Sequence, residues 1–294
     1  MDYVIMTDTS ANLSRETILH WQLPVVPFTL CMDGKELPAP CHSDFNAHEF
    51  YDGMRAGKAV MTSQINTRQF MDYMEPHLLQ GKDLLYIGMS SGISGSFHCA
   101  EQAAEEMRSV YPGRKIMTVD TLGASLGEGL LVLKALTWQR DGCGIEEVAS
   151  RLNALRHRMY QVFTVDDLRY LHRGGRLSGT ATLLGTALGI KPILVGDSAG
   201  RIVSDGKCRG RKKSIEMLAE RYDQLVSEPE NQIIGIAHGD CAEDAEYLCS
   251  LLRRHRPPRE IMTVMYEPVT GCHVGPGTLA LFFYGSDGVR VESR

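Results

Sequence analysis

The alternation of hydrophobic and polar positions changes rhythm about halfway along the chain. In the first half, apolar runs of strand length alternate with longer segments whose apolar residues recur every three to four positions. Strands are predicted at Tyr3–Thr7, Val25–Met32, Leu84–Gly88 and Lys115–Val119. Helices are predicted at Ser14–Trp21, Ala47–Arg55, Thr67–Leu79, Ser96–Val110, Ser125–Gln139 and Ile145–Arg158. This alternation is typical of βαβ units and predicts a mainly parallel sheet.

Strand-like runs predominate in the second half. They are predicted at Tyr160–Val165, Pro192–Val195, Arg201–Ser204, Gln232–Ala237, Glu260–Tyr266 and Thr278–Tyr284. Long helices fit only Lys212–Val226 and Ala242–Arg254, and the turn residues at 196–200 predict a hairpin with a long loop. We therefore expect an α/β protein of two domains. Residues 1–159 would form a mainly parallel α/β domain and residues 160–294 an α+β domain with a mixed or antiparallel sheet.

Small polar residues follow three of the predicted strands in the first half. They are Thr7–Ser10, Ser90-Ser91 and Asp120-Thr121. In open α/β sheets the carboxyl ends of the strands form the ligand crevice. These three clusters are therefore expected on one rim of the sheet.

Composition excludes some classes of protein. Of the 294 residues, 31 are Lys or Arg and 36 are Asp or Glu, and the net charge of −5 disfavours a general nucleic-acid binder. No apolar run approaches the ~20 residues that a membrane span needs. The amino terminus lacks the basic and small-residue features of a secretory signal, which predicts a cytoplasmic protein. The eight cysteines include no C-x-x-C pair, so we expect reduced thiols and no metal site.

The densest chemical feature is the loop Gly88–Ser96, between a predicted strand and a predicted helix. Backbone N–H groups at a helix start attract carboxylates and phosphates, and the serine hydroxyls add neutral donors. The simpler interpretation is a loop with a serine helix cap.

The same loop contains G-x-S-x-G around Ser90, the pattern of a hydrolase nucleophile. Asp240 and His273 follow in the order of a catalytic triad, which leaves a serine esterase as an alternative. Against it, the predicted helix begins several residues after Ser90, whereas a hydrolase nucleophile caps its helix directly.

Three other segments carry candidate binding residues. Thr62-Ser63-Gln64 is interpreted as a loop before a helix, where its hydroxyls either cap that helix or face a pocket. A short helix after Asp167 should place Arg169 and Arg173 on one face, where guanidinium groups suit carboxylates or phosphates. The basic run Lys207–Lys213 opens a helix, where its charges oppose the helix dipole. This suggests an anionic partner, although a run of charges is more often a solvated surface.

His273 is surrounded by glycine and proline in Gly271–Gly277. This setting fixes the backbone and leaves the ring able to reach a ligand. His238 and Asp240 offer two ligands at most, which do not make a metal site.

Together these segments resemble the DegV family of bacterial fatty-acid-binding proteins, and the resemblance spans essentially the whole chain. It rests on Thr7–Ser10, Thr62–Gln64, Ser90–Ser96, Asp167–Arg176, Lys191–Leu194 and His273–Gly277. The resemblance implies a two-domain protein that binds one long-chain fatty acid, such as palmitate, stearate or oleate, without a cofactor. It further implies the binding subunit of a fatty acid kinase, whose separate ATP-using subunit, related to dihydroxyacetone kinase, phosphorylates the carboxylate. The acyl phosphate would enter phospholipid synthesis, and catalysis would belong to the partner.

The resemblance also assigns residues. Those expected around the carboxylate are Thr62, Ser63, Ser94 and His273, supported by Ser91, Gly95 and Gly275. The resemblance also places Arg176 at a basic position that faces a partner. From the arginine segment and the basic cluster themselves, Arg169, Arg173, Arg209 and Arg211 are further candidates for docking the kinase. Met61 stands where many relatives carry a further hydroxyl residue, which leaves the number of head-group hydroxyls open.

Elementary energetics agrees with this role. Burying each of ~15 methylenes contributes ~0.8 kcal/mol, so the tail supplies the affinity and the head group needs only orientation. Neutral hydroxyl and imidazole donors would tolerate both a carboxylate and an acyl phosphate. A regulatory module for another amphiphile stays an alternative, and transient contact with a membrane surface is left open.

Overall fold

The computed structural model describes residues 3–40, 45–177, 189–290 and 292. Its strands are β1 Tyr3–Asp8, β2 Val25–Val26, β3 Thr29–Met32, β4 Lys35–Pro38, β5 Val60–Ser63, β6 Asp83–Gly88, β7 Ile116–Asp120, β8 Met159–Thr164, β9 Ile190–Gly196, β10 Ile202–Arg209, β11 Ile233–His238, β12 Glu260–Met265 and β13 Leu279–Tyr284. Its helices are α1 Arg15–Trp21, α2 Ala47–Arg55, α3 Thr67–Leu79, α4 Ser96–Val110, α5 Leu126–Arg140, α6 Ile145–Leu155, α7 Arg169–Arg173, α8 Arg211–Leu225, α9 Ala242–His255 and α10 Pro268–Val274.

The first sheet is parallel, as predicted, in the order β2-β1-β6-β7. Its central strands β1 and β6 are buried almost throughout, as expected for strands covered on both faces. Helices α3, α4, α5 and α6 pack against its strands. The carboxyl ends of β1, β6 and β7 therefore meet at one rim, where the three polar clusters lie.

A three-stranded antiparallel sheet, β4-β3-β5, departs from the prediction. The run predicted as one strand over Val25–Met32 divides at Pro27, which has no backbone N–H to continue a ladder. Its first part, β2, pairs with β1, and its second part, β3, pairs with β4 and β5. The loop interpretation of Thr62-Ser63 was wrong, because both residues belong to β5. A strand defined by pairing with distant partners leaves little local signal.

The second sheet has the order β10-β9-β8-β13-β11-β12. All of its pairings are antiparallel except β11 with β12, so the predicted mixed sheet is confirmed. The hairpin predicted at 196–200 joins β9 to β10. Helices α8 and α9 cover one face and enclose a hydrophobic cluster that includes Ile193, Leu218 and Phe283.

The larger hydrophobic cluster draws on both halves of the chain. It contains Ile5 and Leu85 of the first sheet together with Phe163 and Phe282 of the second. The two sheets thus share a continuous core, and the division into domains at residue 160 stays a prediction. Among the helices of the described ranges, none is long and apolar enough to cross a membrane.

Helix α10 was missed in the sequence, where Gly271–Gly277 was interpreted as a glycine-rich loop. Glu267 caps this helix, accepting hydrogen bonds from the backbone N–H groups of Val269 and Thr270, and Pro268 occupies its first turn. Burial raises the pKa of Glu267 to about 7. The helix carries His273 in its last turn.

Candidate functional site

Two adjacent lobes of a cavity lie between the second sheet, β5, α10 and the loop after β6. One lobe has about 420 Å³ of empty space and polar side chains on its wall: Thr62, Ser94, Arg176, Thr270 and His273. The other has about 490 Å³ and is mainly apolar, with Leu122, Phe163, Tyr266 and Phe282 among its residues and Gln161 as an exception. Both lobes share Ile93, Ala124, Ile202, Thr270 and Val274, so the two spaces lie side by side with a common wall.

Thr62 and His273 meet in the polar lobe. The Oγ1 atom of Thr62 lies 2.8 Å from Nε2 of His273, within hydrogen-bond distance. Successive residues of a strand point to opposite faces, so Ser63 lies on the other face of β5. Ser63 is exposed and is not part of the cavity wall. The structure therefore brings Thr62 to the site and corrects the placement of Ser63.

His273 is neutral over the physiological pH range. Burial, followed by the charges of Arg176 and Arg173, lowers the pKa of its imidazole to about 4. Its Nδ1 atom abuts the backbone of Gly174, where a Cβ would stand only 2.5 Å away. The ring is therefore held between β5 and the end of α7.

Gly275 allows α10 to pack closely against α7. Its φ of +84° lies in the left-handed region, and a Cβ there would stand 2.4 Å from the ring of Tyr170. The hydroxyl of Tyr170 in turn donates to the carbonyl of Met54 at 3.1 Å. This packing fixes the position from which His273 enters the cavity.

The loop after β6 presents Ser94 to the same lobe. Its backbone N–H donates to the carbonyl of Ser90 at 3.1 Å, and its Oγ contacts Oγ of Ser96 at 3.0 Å. Ser91 donates to the carboxylate of Asp120 at 2.6 Å. The side-chain amide of Gln64 packs against Gly95, where a Cβ would stand 2.3 Å from its Oε1. Ser91 and Gly95 thus support the loop.

The polar rim of the first sheet forms a buried network beneath this loop. Asp8 accepts hydrogen bonds from the hydroxyl of Tyr86 at 2.6 Å and from the N–H of Met89 at 3.3 Å. The hydroxyl of Ser10 lies 2.6 Å from both Asp8 and Glu128. Burial raises the pKa of each of these two carboxyl groups. The rim therefore anchors the wall of the cavity through Met89.

The alternative catalytic triad was wrong, because its three members lie in separate networks. Ser90 is fully buried and donates to the carbonyl of Gly200 at 2.9 Å. Asp240 pairs with His48 at 2.6 Å and with Arg55 at 2.5 Å. His273 contacts Thr62 instead of either predicted partner.

Arg176 was expected to face a partner protein, but it lines the polar lobe. Its Nε donates to the carbonyl of Ile93 at 3.1 Å, and a second nitrogen donates to the carbonyl of Gly174. These bonds follow from its position just beyond the glycines that end α7. The polar lobe therefore contains a fixed positive charge, contrary to the expectation of neutral donors alone.

The other predicted docking arginines differ in their surroundings. Arg169 is exposed and pairs with Asp167 at 2.7 Å, and the guanidinium of Arg173 lies 5.2 Å from the ring of Tyr170. Arg209 is exposed at the end of β10. Arg211 is largely enclosed and bonded to Asp244 at 2.8 Å, so its charge is already neutralised within the fold.

Sequence reasoning missed Thr270, which lines both lobes. Its Oγ1 is buried and has no hydrogen-bond partner among the described residues. The sequence does contain a signal for the start of α10, because Pro268 after Glu267 is typical of a first helical turn. Three positions separate Thr270 from His273, which places both on one face of a helix.

Comparison with known proteins agrees with this architecture. The sequence model of the DegV family of uncharacterised proteins matches residues 2–286. A DegV domain-containing protein of Clostridium perfringens is 37% identical over 283 residues, covering 96% of this chain and 97% of its own.

Solved structures extend the likeness to three dimensions. A DegV family protein of Thermus thermophilus described as fatty-acid-binding superposes with a TM-score of 0.88 at 28% identity, covering 97% of this chain and all of its own. The fatty acid binding DegV family protein SAG1342 of Streptococcus agalactiae gives 0.85 at 26% identity, covering 97% of this chain and 99% of its own. The extent of these matches, with the fold and site described above, shows that the chain belongs to the DegV family.

Proposed function

We propose that this protein binds one long-chain fatty acid, with the carboxylate in the polar lobe and the acyl chain in the apolar lobe. The observation that carries the proposal is that a polar pocket and an apolar pocket lie side by side and share five wall residues. The solved structures from Thermus thermophilus and Streptococcus agalactiae, which are described as fatty-acid-binding, support it.

The apolar lobe supplies the affinity. Each buried methylene contributes ~0.8 kcal/mol, so a chain of ~15 gains about 12 kcal/mol before the cost of association is subtracted. Phe163, Ile202 and Phe282 would contact the hydrocarbon.

The polar lobe orients the head group. Arg176 supplies the charge that balances a carboxylate, and Thr62 and Ser94 supply hydroxyl donors. The neutral imidazole of His273 can donate one N–H, since its lowered pKa keeps a second proton off the ring. A single arginine among neutral donors would be compatible with both a carboxylate and an acyl phosphate as the head group.

We further propose that the bound carboxylate is presented to a separate ATP-dependent fatty acid kinase in the cytoplasm. In that reaction the carboxylate attacks the γ-phosphorus of ATP, which yields an acyl phosphate and ADP. This protein would then shield the labile acyl phosphate on its way to phospholipid synthesis. The exposed guanidinium groups of Arg169, Arg173 and Arg209 are candidates for contact with the kinase.

Mass spectrometry of ligands released from the purified protein by gentle denaturation tests the first proposal. We expect one long-chain acid per chain, and binding of palmitate or oleate after delipidation. A protein that carries no acyl chain and binds neither acid would contradict it. Reconstitution with a dihydroxyacetone-kinase-like subunit and ATP tests the second, with hydroxylamine to trap acyl phosphate. Palmitate binding without any trapped hydroxamate would contradict the kinase role alone.

A further inference from the structure

A second cleft lies where α5 crosses the second sheet, and it shares no wall residue with the acyl cavity. About 500 Å³ of space, part of it open to solvent, lies between its walls. Its wall comes from α5, β11, β13 and the segment before β12, and consists of Leu130, Leu133, Lys134, Thr137, Ile233, Arg259 and Tyr284.

The cleft holds two cations without a matching acid. Lys134 and Arg259 both line it, and no carboxylate of the described residues lies within salt-bridge distance of either. The charge of Arg259 adds to burial in lowering the pKa of Lys134, which shows that the two groups repel each other. Lys134 is half-buried, whereas Arg259, which also lines the cleft, is exposed to solvent.

Tyr284 adds an unused donor to the same wall. The residue is only 6% exposed, and its hydroxyl has no hydrogen-bond partner among the described residues. A buried hydroxyl without a partner costs about 1–3 kcal/mol. An acceptor brought into the cleft could remove that cost after a small movement of the ring.

We propose that this cleft binds a phosphate monoester or inorganic phosphate. Lys134 and Arg259 provide two positive charges, which match a dianionic phosphate and exceed what a single carboxylate balances. The hydroxyl of Tyr284 is the neutral donor. Leu130, Leu133 and Ile233 limit the ligand to a compact group on an apolar wall.

Isothermal titration calorimetry in a phosphate-free buffer at pH 7.5 tests the proposal, with inorganic phosphate and glycerol 3-phosphate as probes. We expect saturable binding of at least one probe with a stoichiometry near one. The tighter of the two identifies whether the free ion or an ester is the natural source. Lys134→Gln and Arg259→Gln should each weaken binding at least tenfold, and Tyr284→Phe should weaken it severalfold.

Lys207→Gln is the matched control, because it removes an exposed positive charge from β10, outside the cleft. It should leave phosphate binding within twofold of wild type. Unchanged palmitate binding in every variant shows that the fold and the acyl cavity are intact. The proposal is overturned if neither probe saturates, if Lys207→Gln weakens binding as much as Lys134→Gln, or if acetate binds as tightly as phosphate.

Discussion

Two adjacent hydroxyl residues on β5 offer the sharpest test of how the head group is held. Thr62 lines the polar lobe and contacts His273 at 2.8 Å, whereas Ser63 lies on the exposed face of the same strand. The sequence resemblance assigns both residues to the carboxylate. The structure predicts that Thr62→Val weakens fatty acid binding and that Ser63→Ala does not.

The expected magnitude follows from the hydrogen bond that is lost. A hydrogen bond to a charged group contributes about 1.5–3 kcal/mol, and each 1.4 kcal/mol is a tenfold change in Kd. Thr62→Val should therefore weaken palmitate binding by about 10- to 100-fold. It should not abolish binding, because the apolar lobe still buries the acyl chain. Ser63→Ala should change Kd by less than about twofold, since exposed substitutions away from a site have small effects.

Delipidated protein titrated with palmitate and followed by calorimetry gives both values. Thermal unfolding of each variant without ligand checks that the three-stranded sheet is intact. Equal losses of palmitate affinity in the two variants, or a loss confined to Ser63→Ala, would refute the assignment of Thr62, and not Ser63, to the cavity face of β5. An unchanged Kd for Thr62→Val would remove Thr62 from the site.

Three further predictions concern the wall of the cavity. Because the folded-state pKa of His273 is about 4, its stabilising effect is present above the unfolded pKa of 6.5 and is lost as pH falls toward 4. Denaturant titrations should therefore show that the free energy of unfolding of His273→Gln rises by about 3 kcal/mol relative to that of wild type as the pH falls from 6.5 to 4. A difference in unfolding free energy that does not change with pH would contradict the lowered pKa. Gly275→Ala forces a Cβ to within 2.4 Å of the Tyr170 ring at φ +84°, and should cost about 2 kcal/mol or more in urea unfolding; an unaltered midpoint would show that the helix pair is not tightly packed. Gly196→Val places side-chain carbons near Gln161 in the apolar lobe, and should weaken stearate binding more than dodecanoate binding. Equal losses of affinity for the two acids would show that the acyl chain does not occupy this part of the lobe.

The regular parts of the fold could be predicted from periodicity alone. The alternating strands and helices of the parallel sheet follow hydrophobic patterns that are complete within each segment, as in β6 and α4. The hairpin of β9 and β10 followed from its turn residues. These elements carry their own signal because β6 is a short continuous apolar run and the buried residues of α4 recur every three to four positions.

The elements that build the site carried less signal. Strand β5 exists because it pairs with β3, and α10 is a short helix that contains Gly271 and ends at Gly275. Thr62 and His273 were singled out through their family resemblance, but their facing arrangement depends on these two elements. The side chain of Arg176 lines the polar lobe because of where α7 ends, and the spacing of residues in the sequence does not predict that direction.

The apolar lobe was hidden for a different reason. Phe163 and Phe282 lie in β8 and β13, whose residues are buried throughout, as ordinary core residues would be. A residue that lines a cavity and one that fills it have the same hydrophobicity, so only packing distinguishes them. Ser90 shows the converse, because a motif typical of a nucleophile is here a buried structural hydroxyl.

A crystal structure of the protein saturated with palmitate tests the central claim most directly. We expect the carboxylate within hydrogen-bond distance of Thr62 and Ser94, with Arg176 and His273 beside it. The acyl chain should run past Ile202 toward Phe163 and Phe282. A palmitate whose carboxylate lies outside the polar lobe, or whose chain occupies another cavity while this one stays empty, would contradict it.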